Sequence, residues 1–269
     1  FPENIVQIQR LIADPQSQMV DIARYISTDP AMTADLLKLV NSAAYMTQKR
    51  VDNIVDAVKL VGLRGIKGLL YSYGTIKILG DDSTEERKKL WDHCYRTAYY
   101  SYNLAKNFKA GNRNLLDDAY VGGMLHDMGK IVFSSVHPAL MEKIRGFCAE
   151  KGIAANTFED MAGGMNHAEI GARIAEKWNF PDTLVAAIRY HHELSEVPPD
   201  HKELVYTVYL ANAFCEYESG GMGYDQLDPA ALASFNMVGE KQFKKIVETM
   251  SEGFRIETSR MAREAVKKP

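Results

Sequence analysis

The sequence predicts an all-α protein, a bundle of helices. Three observations carry that expectation. Apolar residues recur at helical spacing in segment after segment, helix-starting and helix-stopping residues punctuate those segments, and no segment of useful length alternates with a strand period. The nearest approach to a strand is the run from Ile131 to Val136, and its helical surroundings argue against it.

Taken in order, Ser17 is expected to cap a helix that presents Met19, Ile22, Ala23 and Ile26 on one face. Asp29-Pro30 places a capping oxygen before a proline at the first helical position, with Met32, Leu36, Leu37 and Val40 keeping the period behind it. Asn41-Ser42 interrupts. These two could meet a ligand or partner, but the reading favours capping and termination of the helix. Asn53 opens a segment with Ile54, Ala57, Val58 and Val61 inward, Gly62 stops it, and a further apolar helix runs from Leu63 to Leu79.

Gly80-Asp81-Asp82 is the clearest joint, and Ser83 with Glu86 forms a capping box behind it. A boundary here divides the chain into an N-terminal helical lobe, 1–80, and a second helical lobe, 81–269. In the second lobe helices are expected over Leu90–Phe108, Leu115–His126, Pro138–Lys151, His167–Trp178 and Thr183–His192, the last capped by Asp182. Glu203–Tyr217 follows the Val197-Pro198-Pro199 turn. Gly220 to Gly223 breaks the chain, Asp228-Pro229 reopens it, and Glu240–Gly253 is one more helix before a charged end expected to fray. The tyrosines at 95, 99, 100 and 102 lie on two faces of one helix, which favours core packing over base stacking. Trp178 reads as a core anchor, and the charges in Glu85 to Lys89 as a solvated face.

Composition narrows the function. With 269 residues, 46% hydrophobic and 25% charged, the chain is of ordinary globular type and can bury roughly three quarters of its unfolded surface. Cys94, Cys148 and Cys215 stand singly, a poor disulfide framework that fits a reducing, cytoplasmic setting. A net charge of −3 supplies no general pull toward nucleic acid or an acidic membrane, and no apolar run approaches the roughly 20 residues of a membrane span. The chain opens on Phe1 rather than methionine, as expected of a fragment or a processed protein. Glu3, Gln7, Gln9 and Arg10 leave no apolar core for a signal peptide.

The histidines carry the chemistry. His93, His126, His167, His191 and His192 concentrate in the second lobe, each in or beside a predicted helix, and Asp127 follows His126 directly. Imidazole nitrogens and a carboxylate suit Fe, Mn, Zn or Ni, one or two ions. No cysteine travels with the set, which argues against a structural zinc site, and open positions on such a site suit activation of water against phosphate. Singly, each signal is weak. His137 and His201 read as ordinary core or surface residues, and adjacent His191 and His192 would point about 100° apart on a helix. Gly122-Gly123 could admit a metal or substrate closely, or equally permit tight helix packing.

His93 followed by His126-Asp127 resembles the HD metal-dependent phosphohydrolase superfamily. Adding Lys130 in HDMGK, His167 in NHAEIG and His191-His192 in RYHHE makes it similar to the HD-GYP phosphodiesterases. That resemblance implies metal ligands at His93, His126, Asp127, His167, His191 and His192, and places Lys130 beside a phosphate with Asp127 as a catalytic residue. Three departures weigh against cyclic dinucleotide hydrolysis. The final carboxylate of the family falls at Asn212, the glycine-tyrosine-proline signature is replaced by HHELSEVPPD, and Lys89 stands where a glutamate can hold a third ion. The run from Ser27 to Leu70, with DPAMTADLLKLVNSAAY at its heart and VKLVGL behind, is similar to the HDOD signature; WNFPDTLVAAIRYHHE and VYLANAF extend the match over most of the chain.

That second resemblance implies an HD-domain-like helical bundle with an N-terminal HDOD lobe, found in bacterial signalling chains and usually catalytically degenerate. The expected function is a signal-transduction module that binds protein partners, holds metal, and is weakly or not catalytic. The alternative is a metal-dependent phosphohydrolase acting on a nucleotide or a cyclic mono- or dinucleotide, with a phosphate-containing small molecule as its ligand. A nucleic-acid-linked regulator is the weakest reading, because the chain is acidic and has no basic helix.

Overall fold

A computed structural model describes residues 3–41, 51–79, 85–109, 112–131 and 165–266, with isolated positions between 143 and 151. Every regular element among them is helical. The order is α1 (Glu3–Ala13), α2 (Met19–Ile26), α3 (Pro30–Val40), α4 (Ile54–Leu79), α5 (Glu85–Phe108), α6 (Arg113–Leu125), α7 (His167–Lys177), α8 (Asp182–Tyr190), α9 (Lys202–Ser219), α10 (Pro229–Ser234) and α11 (Glu240–Val266). Single 3₁₀ turns precede α9 and α10.

Local chemistry explains most of the boundaries. Asp29 Oδ1 accepts from the Met32 amide at 3.0 Å, and Asn53 Oδ1 from the Asp56 amide at 2.9 Å, so both capping expectations hold. The stop at Gly62 also holds. The residue has φ 70° and ψ 177°, and it kinks α4 into two helical pieces. Asn41 ends α3 by a clamp, its amide donating to the carbonyls of Leu37 and Val51 and its Oδ1 accepting from the Val51 amide, each at 2.8 Å. Asp228 caps α10 through the Ala231 amide at 2.8 Å.

Three of the expected starts and stops are not used. Gln18, not Ser17, caps α2, because its amide is taken by Asp21 Oδ2 at 3.1 Å. Asp182 is the first helical residue of α8 and Pro181 the cap, since the proline sets the extended entry. Gly253 does not end the last helix, which runs on to Val266; it sits where a Cβ would press to 2.7 Å from the Tyr99 hydroxyl. The joint at 80–82, the Ser83 capping box, Ser42, His137, Cys148, nearly all of Pro138–Lys151 and the 132–136 run lie outside the described residues.

Two apolar cores hold the bundle. The first gathers α1 to α4 onto α5, α6, α7 and α8, from Ile5 and Ile22 through Leu70 and Tyr120 to Ile188 and Val208. The second lies between α5, α9, α10 and the near half of α11, around Tyr100, Phe214, Phe235 and Phe243. Tyr99 and Tyr100 are buried here, and the Tyr100 hydroxyl donates to Glu218 Oε2 at 2.8 Å, so this pair packs rather than awaits a base. Helix α5 belongs to both cores and packs on α6 and α9. It is the axis from which the site is built.

Candidate metal centre

Asp127 is the hub, and its position follows from how α6 ends. The helix stops at Leu125, His126 is its C-cap, and the chain turns so that Asp127 points inward before the short helical turn that carries Lys130. His93 comes from the middle of α5, His167 is the first residue of α7, and His191 and His192 follow the last turn of α8. Four chain segments therefore aim donors at one carboxylate.

The two carboxylate oxygens face different groups. Oδ1 lies 3.2 Å from His167 Nε2 and 3.5 Å from His191 Nε2. His192 Nε2 completes that group at 3.2 Å from His167 Nε2. Oδ2 lies 3.4 Å from both His93 Nε2 and His126 Nε2, which are 3.2 Å from each other. Lys130 Nζ donates to the same Oδ2 at 2.8 Å. The donors fall into two clusters, Asp127-His167-His191-His192 and His93-His126-Asp127, each with its atoms within 4.8 Å of one another. All six residues named from the sequence, with Lys130, thus meet in one place. The adjacent pair His191-His192 converges because the helix has already ended at Tyr190, so the 100° offset no longer applies.

Two imidazoles are oriented by main chain. His126 Nδ1 is 2.8 Å from the Gly123 carbonyl and His191 Nδ1 is 2.7 Å from the Ile188 carbonyl. Each Nδ1–H donates to its carbonyl, which leaves Nε2 with its lone pair turned toward Asp127. On the third, Cys215 of α9 makes hydrogen-bonding contact with the His93 ring and sits 3.5 Å from Thr97 Oγ1. Asn212, one turn earlier on α9, is 5% exposed, and its Oδ1 has no hydrogen-bond partner.

Charge separates the two clusters. Burial would raise the Asp127 carboxyl, but His126 and Lys130 overcome it and hold it well below the usual carboxylate range. Burial lowers His191 to about 3 and takes His192 well below its ordinary value, so both are neutral. For His93 burial also pulls downward, yet the bonds to Asp127 and Cys215 prevail and lift it to about 9. The result is a buried anion with neutral imidazoles of His191 and His192 on its Oδ1 side and a protonated His93 on its Oδ2 side, and Oδ1 receives no well-formed hydrogen bond. That donor set fits one or two transition-metal ions: nitrogen and oxygen only, and a carboxylate able to bridge.

Close helix approach makes the convergence possible. A Cβ on Gly123 would lie 2.8 Å from the Thr97 carbonyl, and one on Gly129 only 1.9 Å from the His167 carbonyl. Gly122 packs on Val208 of α9. The Gly122-Gly123 pair serves helix packing, the second of its two sequence readings. An ion-pair clamp holds α7 to α8 outside the site: Arg189 donates to Glu169 at 2.8 Å and to Glu176 at 2.6 Å. The sequence reading missed Gly129, Arg189, Thr97 and Cys215. Of these only Gly129, inside HDMGK, carried a local signal. Lys89, in the place of a family glutamate, is exposed.

The HDOD domain family model matches residues 1–194. An uncharacterized protein of Treponema pallidum (strain Nichols) is 39% identical over 257 residues, 96% of this chain and 50% of that relative, so the chain spans about half its length. Among solved structures, an HDOD domain protein of unknown function from Geobacter sulfurreducens superposes with TM-score 0.73 at 21% identity, covering 95% of this chain and 90% of its own. A protein from Shewanella amazonensis SB2B, assigned to the phosphohydrolases by name alone, gives 0.71 at 22%, with 96% and 92% covered. One from Marinobacter aquaeolei VT8, assigned by name to signal transduction, gives 0.69 at 24%, with 97% and 58% covered. At these identities the structural likeness is one of fold.

Proposed function

The chain belongs to the HDOD domain family, and from that premise we propose that it is a signalling module whose buried centre holds one or two transition-metal ions and hydrolyses phosphoesters weakly or not at all. The observation that carries the reading is Asp127. It is buried, ionised, and turned with one oxygen to each of two histidine groups, a set of nitrogen and oxygen donors around one carboxylate that suits a transition-metal cation. When bound, such an ion supplies Lewis acidity toward a phosphoryl oxygen.

The remaining work falls to side chains. His126 and His191 are held in one tautomer by backbone carbonyls, and Lys130 keeps a positive charge at the edge of the site, where an anion is attracted. Asn212 supports the weak-catalysis reading, since it offers a neutral amide where the resembled hydrolases carry a carboxylate. Signalling-protein partners and a cytoplasmic setting are part of the proposal. They agree with the absence, among the described residues, of any helix long and apolar enough to cross a membrane.

Lys130 and the two histidine groups favour a second reading, a metal-dependent phosphohydrolase acting on a nucleotide or a cyclic mono- or dinucleotide. Metal analysis of the untagged protein, with turnover of bis(p-nitrophenyl) phosphate and of cyclic nucleotides, separates the two. Retained metal with negligible turnover is expected. Turnover that disappears in Asp127→Asn would establish the hydrolase instead, and no metal after reconstitution with Fe, Mn, Zn or Ni would overturn both.

A further inference from the structure

The two clusters around Asp127 differ in donor number and in the charge at their edge. The Oδ1 cluster offers four donor residues and the Oδ2 cluster three, with Asp127 counted in each. His167, His191 and His126 are buried and His192 and His93 partly exposed, so each cluster reaches the surface through one histidine, but only on the Oδ2 side does an ammonium, Lys130, 26% exposed, stand at the opening. Oδ2 is also shared with the Lys130 ammonium, which a cation on that side must tolerate or displace. On α9, one turn before Cys215, the Asn212 amide oxygen is buried without a partner.

We propose that the cation positions are unequal: a resident ion held by Asp127, His167, His191 and His192, and an exchangeable ion at His93 and His126 that needs a phosphate oxygen from solution to complete it. The inference rests on the metal-centre reading above. Four donors already placed by rigid helix ends retain an ion without rearrangement, while three donors leave it under-coordinated. The open edge is where an outside ligand can enter, and Lys130 gives that edge the charge to receive an anion. Ion and phosphate then favour each other's binding reciprocally, because linkage is symmetric. In this arrangement the chain responds to phosphate-bearing molecules through occupancy, with no turnover required.

Equilibrium dialysis of the metal-free protein against Mn(II), with and without 1 mM inorganic phosphate, tests this directly. One tight equivalent is expected, followed by a second at least about tenfold weaker that phosphate strengthens about tenfold. His192→Ala should lose the tight equivalent. His93→Ala should keep it but lose the second ion and the response to phosphate. Asn212→Asp, by supplying an oxygen from the protein, should strengthen the second ion and blunt the phosphate effect. Two ions of equal affinity, indifferent to phosphate, overturn the proposal and leave the metal reading standing, as does loss of the tight ion in His93→Ala. Absence of any bound manganese overturns both.

Discussion

The two sides of Asp127 are built by different means. The His167-His191-His192 side stands on helix ends: the start of α7, jammed against Gly129, and the close of α8, tied to α7 by Arg189. The His93-His126 side depends on the middle of α5, pressed against α6 at Gly123, with Cys215 and Thr97 behind it. Helix ends are positioned by caps, ion pairs and main-chain contact, and a mid-helix residue by its neighbours' packing. One carboxylate thus joins a closed half whose histidines all stand at helix ends to a more open half that pairs a helix-end donor, His126, with a mid-helix one, His93.

The largest effect should come from erasing what the halves share. Asp127→Asn removes the charge both depend on, and metal content should fall to background on both sides by plasma mass spectrometry. Next in size are the glycines, which should separate the halves. Gly129→Ala forces the start of α7 away from the turn that follows α6 and should destabilise the protein by about 3 kcal/mol in urea unfolding, with loss at the closed half. Gly123→Ala instead disturbs α5 and should weaken the open half first. Arg189→Met should be milder, a reduction of about tenfold in affinity at the closed half only. Arg189→Lys, which keeps the charge opposite Glu169 and Glu176, should recover part of it.

The last comparison is of pH, where the halves should behave oppositely in the metal-free protein. His191 titrates at about 3 when folded and near 6.5 when unfolded, so between those values the unfolded chain binds the extra proton and stability is lost as pH falls. His93 titrates at about 9 when folded, so its contribution is complete below 6.5 and is lost as pH rises through about 9. These two groups therefore place a stability maximum near pH 6.5. Thermal unfolding across pH should show the acid limb flattened in His191→Gln and the alkaline limb flattened in His93→Gln. Limbs unmoved by either substitution would count against the assignment.

Much of this was legible in the sequence, for physical reasons. Helical period and capping chemistry are local, so Asp29, Asn53, Gly62 and Asp228 mark their boundaries before any packing is known. The donors were legible because imidazoles are few and recur near predicted helices. What escaped depends on contacts distant along the chain. Arg189 is an unremarkable surface arginine until α7 lies beside α8, and Gly253 resembles a helix stop until Tyr99 is seen above it. Gln18 took the cap from Ser17 because Asp21 happened to reach its amide.

Side-chain-free residues set how closely the segments around Asp127 approach. At Gly123 and Gly129 main chain meets main chain, and neither contact involves an imidazole. A descendant that exchanged His93 or His192 for residues of similar bulk would keep the bundle. One that kept both glycines could regain a cation site through side-chain replacement alone. In such a lineage chemistry is the trait that drifts, and shape the trait that is inherited.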